Sequence, residues 1–256
     1  MIQESEAMEE LIEKAAEDLA RADNVAALTG AGISVESGIP PFRGPGGLWE
    51  KIDPMEYAHI DAFLKDPVKV WNVLLKDMKS LLDTARPNPA HLGLAQLEAM
   101  GKLKTVITQN VDGLHQVAGN TDVIEFHGSF AVHRCMKCNC RKDTGAIDLS
   151  RIPPRCECGG IWRPECVFFG EMIPTQALWR SQVAAESCDV MLVIGTSATV
   201  QPAATMPVIA KQAGARVIEF NDEETPLTEW VSDYRVPGKA GEVLDQVFRR
   251  VEALLG

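Results

Sequence analysis

The chain has 256 residues, 46% of them hydrophobic and 24% charged. That is enough for a sizeable core, as one large domain or a large domain with a smaller insert, and it excludes a disordered chain. A formal net charge of −11 argues against a surface built for nucleic acid, whose phosphates it would repel, and is compatible with attraction of basic peptides.

Residues 5–22 place Leu11, Ile12, Ala15, Ala16, Leu19 and Ala20 at helical spacing, predicting an amphipathic first helix. The acidic start Met1-Ile2-Gln3-Glu4-Ser5-Glu6 lacks the basic-then-apolar order of a secretory signal, so a cytoplasmic location is expected. The apolar run Val25-Ala26-Ala27-Leu28 reads as a first strand, and residues 29–43 follow it as Thr-Gly-Ala-Gly-Ile-Ser-Val-Glu-Ser-Gly-Ile-Pro-Pro-Phe-Arg. This glycine-rich loop sits at the carboxyl end of a strand, the edge at which an open α/β sheet holds a dinucleotide. Gly30 and Gly32 would admit backbone N–H groups close to a pyrophosphate and would tolerate positive φ values. The spacing is neither G-x-G-x-x-G nor G-x-x-x-x-G-K-[ST], which argues against an ordinary dehydrogenase or a P-loop NTPase. A Gly-rich turn alone can be merely a tight turn. The continuation to Phe42 and Arg43, rich in Gly and Pro, suits a lid over a charged ligand.

Residues 45–86 hold helical pieces at Pro54–Leu64 and Pro67–Leu82 and no strand. Helix Pro89–Met100 and strand Lys104–Thr108 come next, and the strand ends in Gln109-Asn110-Val111-Asp112, a polar cluster able to cap a helix or to bind a ligand. Strand Val123–Phe126 is followed by His127, placed on the same sheet edge. By itself such a histidine can also be a hydrogen-bonded structural residue. Val167-Phe168-Phe169-Gly170 is an extended aromatic stretch, readable as a buried strand. Helix Thr175–Ser187, strand Val190–Ile194 with Gly195-Thr196-Ser197 after it, helix Pro202–Ala213, strand Arg216–Phe220 with Asn221 after it, and helix Gly241–Leu255 complete the chain. The apolar runs are strand-sized and too short for a membrane span. Strands alternating with helices predict an α/β fold, a Rossmann-like parallel sheet covered on both faces.

Seven cysteines without an export signal are better read as metal ligands or buried thiols than as disulfides. Cys166 and Cys188 stand in apolar surroundings and read as core. Cys135-x-x-Cys138 and Cys156-x-Cys158 resemble a zinc ribbon, in which four thiolates close a tetrahedral shell and leave no position for water, so the zinc would be structural. Cys140 is a fifth candidate, able to replace one of the last pair. The domain division expected is residues 1–44, 87–130 and 165–256 for the Rossmann-like dinucleotide-binding domain, with 45–86 and 131–164 as a smaller inserted domain, helical plus zinc-binding.

Gly30-Ala31-Gly32-Ile33-Ser34 through Phe42-Arg43-Gly44, Thr108-Gln109-Asn110-Val111-Asp112-Gly113-Leu114-His115, Phe126-His127-Gly128, Val167-Phe168-Phe169-Gly170-Glu171, Gly195-Thr196-Ser197 and Glu219-Phe220-Asn221 stand in an order that resembles the signature blocks of the sirtuins, over roughly residues 20 to 250. The resemblance implies an NAD-dependent protein deacylase that consumes NAD and releases nicotinamide, free lysine and O-acyl-ADP-ribose through an alkylimidate. The rival within enzymes is protein mono-ADP-ribosyl transfer; the rival of another class is a zinc-containing binding module that only senses NAD.

By the same resemblance, His127 is the general base on a ribose hydroxyl, and Gln109 and Asn110 contact the nicotinamide ribose. Asp112, Ala31 and Ile39 frame the nicotinamide pocket, with Gly30, Gly32, Ser34, Phe42 and Arg43 on the cofactor loop. Gly195, Thr196, Ser197 and Asn221 hold the phosphates and adenosine ribose, and Gly238-Lys239-Ala240 border the adenine. Val167, Phe168, Phe169 and Gly170 would pair with the substrate peptide as an added strand. Sirtuins that remove acidic acyl groups carry a Tyr-x-x-Arg pair in the helical insert. Leu74 and Asp77 align with that pair here, so a neutral acyl group is expected, an aspartate repelling a carboxylate. The partner expected is an acyl-lysine protein or peptide, with no nucleic acid and no membrane.

Overall fold

The computed structural model describes residues 2–256. Nine strands follow in chain order: β1 (Val25–Thr29), β2 (Leu103–Thr108), β3 (Val123–Glu125), β4 (Gly128–Cys135), β5 (Arg141–Asp143), β6 (Trp162–Cys166), β7 (Val190–Ile194), β8 (Arg216–Phe220) and β9 (Tyr234–Val236). Six of them form one parallel sheet in the order β3-β2-β1-β7-β8-β9. Every residue of β1 and β7 is buried, as expected for parallel strands covered on both faces. The α/β expectation is borne out.

One face of the sheet is covered by helices Ile2–Arg21, Pro89–Ala99 and Ala240–Leu255, whose apolar stripes contribute Ile12, Leu19, Leu94, Leu97, Leu244 and Val247 to a common core. The other face is covered by helices Thr175–Ser187 and Met206–Gln212. Local chemistry sets the start of Pro89–Ala99: Asn88 caps it, His91 closes the capping box and Pro89 occupies the first turn. Among the described residues, no helix is long and apolar enough to cross a membrane.

The strand order reverses between β1 and β7, and those two strands pair in step from Val25 with Val190 to Thr29 with Ile194. Their following loops therefore leave the sheet side by side, making a crevice at the carboxyl edge. A second, antiparallel sheet of β5-β4-β6 lies beyond that edge. It takes residues from both sides of the expected divisions at 130/131 and 164/165. The helical segments between residues 48 and 84 pack on it through Phe63, Trp71, Phe130 and Phe168, and Trp71 Nε1 donates to the Trp162 carbonyl at 3.0 Å.

Some local expectations differ. The helix expected over Pro54–Leu64 is two short helices, Pro54–Tyr57 and Ile60–Lys65, because Asp53 and His59 each accept a backbone N–H and cap a fresh start. The next helical run continues from Pro67 to Thr84 through one π turn at Trp71–Leu75. The helix expected over Pro202–Ala213 opens as a 3₁₀ turn at Ala203–Thr205. Val167–Gly170 is not a strand of either sheet and makes a single bridge, Phe169 to His59.

Candidate functional site

The loop after β1 and the loop after β7 touch backbone to backbone. Gly30 N donates to the Ile194 carbonyl at 3.0 Å and Gly32 N to the Gly195 carbonyl at 2.7 Å. A Cβ on Gly32 would stand 2.6 Å from Gly195 Cα, and one on Gly195, whose φ is +57°, would stand 2.4 Å from Ile33 N. The sequence argument from positive φ fails at Gly30 and Gly32. Gly30 has φ −128°, and the positive values fall at Gly38, Gly44, Gly46 and Gly195 instead. Gly30 and Gly32 are required because the two loops are in contact.

A cavity of about 1110 Å³ opens between these loops and the second sheet. That exceeds the roughly 300–1,000 Å³ of an ordinary ligand pocket, so it has room for a dinucleotide together with a second substrate. Its wall includes Gly30, Ala31, Gly32, Phe42, Arg43, Gln109, Asn110, His127, Val167, Phe168, Phe169, Gly170, Gly195, Thr196, Ser197, Asn221, Gly238, Lys239 and Ala240. Ser34, Ile39 and Asp112 lie outside that wall.

His127 is fixed by its ring. Nδ1 lies 3.1 Å from the Gln109 carbonyl, and a carbonyl can only accept, so Nδ1 carries the proton and Nε2 keeps its lone pair. Burial pushes its pKa down, partly opposed by the bond to Gln109. Gln109 in turn donates from Nε2 to Thr196 Oγ1 at 2.9 Å, tying β2 to the loop after β7. Asn221 Nδ2 donates to the Thr196 carbonyl at 2.9 Å.

Beneath the cavity, Asn110 Nδ2 donates to the Gly30 carbonyl at 3.0 Å and to Ser34 Oγ at 3.1 Å. Ser34 Oγ donates to Asp112 Oδ2 at 2.7 Å, and Asp112 Oδ1 accepts from Leu114 N at 2.9 Å. Both amide protons of Asn110 are engaged, which leaves its side-chain carbonyl as the group available to a ligand. Burial raises the Asp112 pKa against those hydrogen bonds. His91 and His115 lie behind this network with rings 4.9 Å apart, and burial lowers their pKa values to about 4 and about 3. Ser34 and Asp112 thus act on the cavity through Asn110.

On the outer wall, Phe42 stacks on Trp49 with ring centres 5.2 Å apart, while Arg43 is exposed. An apolar limb runs toward the helical insert, lined by Ala58, Leu74, Leu75, Met78, Cys166 and Phe168. The π turn at Trp71–Leu75 adds a residue to one helical turn, so adjacent Leu74 and Leu75 both point inward, with Met78 four residues after Leu74. Asp77 is exposed and outside the wall. The electrostatic argument from Asp77 is therefore corrected: the neutrality of the limb comes from its apolar lining.

The segment Val167–Gly170 is held at several points. Val167 N donates to the His127 carbonyl at 2.7 Å, Phe169 N to the Ala58 carbonyl at 2.9 Å, and Ile60 N to the Phe169 carbonyl at 3.0 Å. Phe168 N donates to Glu171 Oε2 at 2.9 Å. Glu171 forms a two-pronged ion pair with Arg163, both contacts at 2.8 Å, and Arg163 is only 3% exposed. Arg163 NH2 also donates to the Cys166 carbonyl at 2.7 Å. Sequence reasoning missed this pair, and missed Glu36, which accepts from Gly241 N at 2.6 Å and seats the glycine-rich loop on the start of the last helix. The available signal was Arg163 inside the apolar run Ile161-Trp162-Arg163-Pro164, since a buried guanidinium needs a partner.

The five clustered cysteines gather on the second sheet. The sulfurs of Cys135, Cys138, Cys140 and Cys156 lie within 4.8 Å of one another, and Cys158 Sγ is 3.5 Å from Cys135 Sγ. Cys140 thus belongs to the mutually close set, and Cys158 adjoins it. The donor set fits zinc: soft thiolates at tetrahedral spacing, with Gly160 leaving room where a Cβ would come 2.5 Å from Cys135 Sγ. Cys166 and Cys188 are buried apart from the cluster.

The Sir2 family model matches residues 30–202. A protein of Archaeoglobus fulgidus named NAD-dependent protein deacylase 1 is 48% identical over 244 residues, covering 95% of this chain and 99% of the relative. The crystal structure of a Sir2 homolog in complex with NAD superposes with a TM-score of 0.88 at 48% identity, covering 95% of each chain. A Sir2 protein bound to a myristoylated histone peptide superposes with a TM-score of 0.79 at 38% identity, covering 96% of this chain and 98% of the other.

Proposed function

The chain belongs to the Sir2 family, and from that premise we propose that it removes acetyl and longer neutral acyl groups from protein lysines. It is an NAD-dependent protein deacylase. The observation that carries the finer reading is that His127 lines one cavity together with the glycine loops and the apolar residues of the helical insert. A dinucleotide lies along Gly30, Gly32, Gly195–Ser197 and Asn221 toward Ala240, with its nicotinamide ribose against Gln109 and Asn110. The acyl chain enters the limb of Leu74, Leu75 and Met78, and the peptide lies along Val167–Gly170.

In this arrangement His127 Nε2 takes a proton from a ribose hydroxyl, and the Gln109 carbonyl steadies the imidazolium through Nδ1–H. The Asn110 carbonyl faces the cationic character that builds as the nicotinamide bond breaks. Phe42 and Trp49 shield the site from water. The products are nicotinamide, free lysine and O-acyl-ADP-ribose. A myristoylated peptide on one relative supports a limb that admits long chains.

We assign zinc to the thiolate cluster, where it would supply a structural crosslink. Cys135, Cys138 and Cys156 would hold it with Cys140 or Cys158. The domain division follows the two sheets: an NAD-binding parallel sheet and a smaller helical and metal-stapled unit. Unpaired thiols and an acidic surface accord with a cytoplasmic location.

The test is mass spectrometry of peptide and nucleotide products with acetyl-, myristoyl- and succinyl-lysine peptides, with and without NAD. Equal yields of nicotinamide, free lysine and O-acyl-ADP-ribose are expected from the first two, and Leu75→Trp should depress turnover of the myristoyl peptide more than that of the acetyl peptide. Faster turnover of the succinyl peptide would refute the neutral-acyl reading. ADP-ribose retained on protein would favour the mono-ADP-ribosyltransferase.

A further inference from the structure

The cysteine cluster holds one thiol more than a tetrahedral ion can use. Four sulfurs at about 2.3 Å from zinc stand about 3.8 Å apart. The observed separations approach that edge: Cys138 to Cys140 is 3.2 Å, Cys138 to Cys156 is 3.8 Å, Cys140 to Cys156 is 3.6 Å and Cys135 to Cys158 is 3.5 Å. Each of the five has a neighbour at near-tetrahedral distance.

Two backbone features produce the surplus. Asn139 has φ +58°, a left-handed conformation that asparagine tolerates better than most residues, and it turns Cys140 back beside Cys138. Cys135 N donates to the Cys140 carbonyl at 2.9 Å and Asn139 N to the Cys135 carbonyl at 3.0 Å, closing this first turn. The second turn has only Glu157 between its cysteines. Cys156 N donates to the Gly160 carbonyl and Gly159 N to the Cys156 carbonyl, each at 2.8 Å. Within it Cys156 Sγ faces Cys138 and Cys140, and Cys158 Sγ faces Cys135.

We propose that Cys135, Cys138 and Cys156 are permanent ligands and that Cys140 and Cys158 exchange at the fourth position. This rests on the zinc reading above. When Cys158 enters, its thiol gives up a proton and the departing Cys140 thiolate takes one up, so four thiolates ligate throughout and the charge of the site is unchanged. Loss of either exchanging thiol to alkylation or oxidation leaves a complete ligand set. The cluster thereby tolerates damage to Cys140, which is exposed, and to Cys158, which is half-buried.

Cobalt(II) titrated into metal-stripped full-length protein reports the number of thiolates through its sulfur-to-metal charge-transfer absorbance. Cys140→Ser and Cys158→Ser should each keep one equivalent of metal and the full absorbance. The double variant, and Cys156→Ser, should fall to about three quarters of it. Loss of that quarter in one single variant, with the other silent, would establish a fixed set and overturn the exchange alone. Failure of the unaltered protein to take up one equivalent would overturn the zinc reading and the exchange with it. Circular dichroism confirms folding. Should a variant not fold, peptide mapping of the zinc-loaded unaltered protein after alkylation decides: label on Cys140 and Cys158 with zinc retained supports exchange, and label on Cys135, Cys138 or Cys156 refutes it.

Discussion

At the level of single residues, His127 suits the proposed role of base because its neighbours settle which nitrogen is basic. The Gln109 carbonyl holds the proton on Nδ1, so Nε2 is ready to accept without a tautomer change. Burial destabilises the imidazolium and lowers the pKa from the ordinary value near 6.5. A base must be neutral to act, so the sign follows: activity holds as pH falls through the range where an exposed histidine would become protonated, and declines only below the lowered pKa. The profile of kcat/KM against pH should therefore be level through about pH 6.5, with its acidic limb below that value. A limb centred above it would show that His127 is not the limiting base. His127→Ala should reduce kcat/KM by on the order of 10²- to 10⁴-fold, with the protein still folded by circular dichroism.

At the level of elements, loops and short pairs decide what the strands cannot. The contact of Gly32 with Gly195 is between two backbones, and neither neighbour is a flexible side-chain end that could move aside. Gly32→Ala should cost about 1–3 kcal/mol of stability, as overpacking does, and should weaken NAD binding at least tenfold, seen by denaturant unfolding and calorimetry. NAD affinity unchanged in that variant would mean the loop contact does not shape the site. The Arg163–Glu171 pair makes a separate prediction. Glu171→Gln leaves a buried guanidinium without its counter-charge and loosens the anchor on Phe168 N. It should raise KM for the peptide about tenfold, near 1.4 kcal/mol, while KM for NAD stays put; a parallel rise in both constants would assign the pair to general stability. These features mark the limit of sequence legibility. β1 and β7 were legible as continuous apolar runs of buried parallel strands, and β2, β3 and β8 through the apolar pairs Val106-Ile107, Val123-Ile124 and Val217-Ile218 between turns. β9 and β5 are three residues each and hold no two adjacent apolar residues. β4 mixes His133 and Arg134 into its ladder, and the π turn leaves no mark in composition, which is why the inward face of Leu74 and Leu75 was invisible while their neighbour Asp77 drew attention. Asn110, His127 and the glycine loop were legible through the resemblance of their blocks to a family, since polar residues at strand ends serve equally well as caps.

At the scale of the whole molecule, the cysteine cluster and the proposed substrate segment are joined by one strand. β6 pairs with β4 beside the cysteines, where Trp162 faces Cys135, and ends at Cys166, immediately before Val167–Gly170. The hydrophobic content around the cluster is slight: Cys135, Ile147 and Trp162 are its only buried members among the described residues. So small a core cannot order the cysteine end of the antiparallel sheet by burial alone, although its other end packs on the helical segments through Phe130, and thiolate–metal bonds are expected to supply the difference at that end. The parallel sheet has its own large cores on both faces and does not depend on them. Removing zinc with a strong chelator should therefore abolish amide-exchange protection at the cysteine end of that sheet, residues 133–162, and leave it in β1, β2, β7 and β8. Peptide turnover should fall because Val167–Gly170 loses the strand that carries it, while the glycine loop and Gly195 keep their contact and NAD binding persists at reduced affinity. Zinc added back should restore turnover. Uniform loss of protection across both sheets would instead mean that the two units unfold as one, and that the metal stabilises the NAD-binding sheet as much as its own.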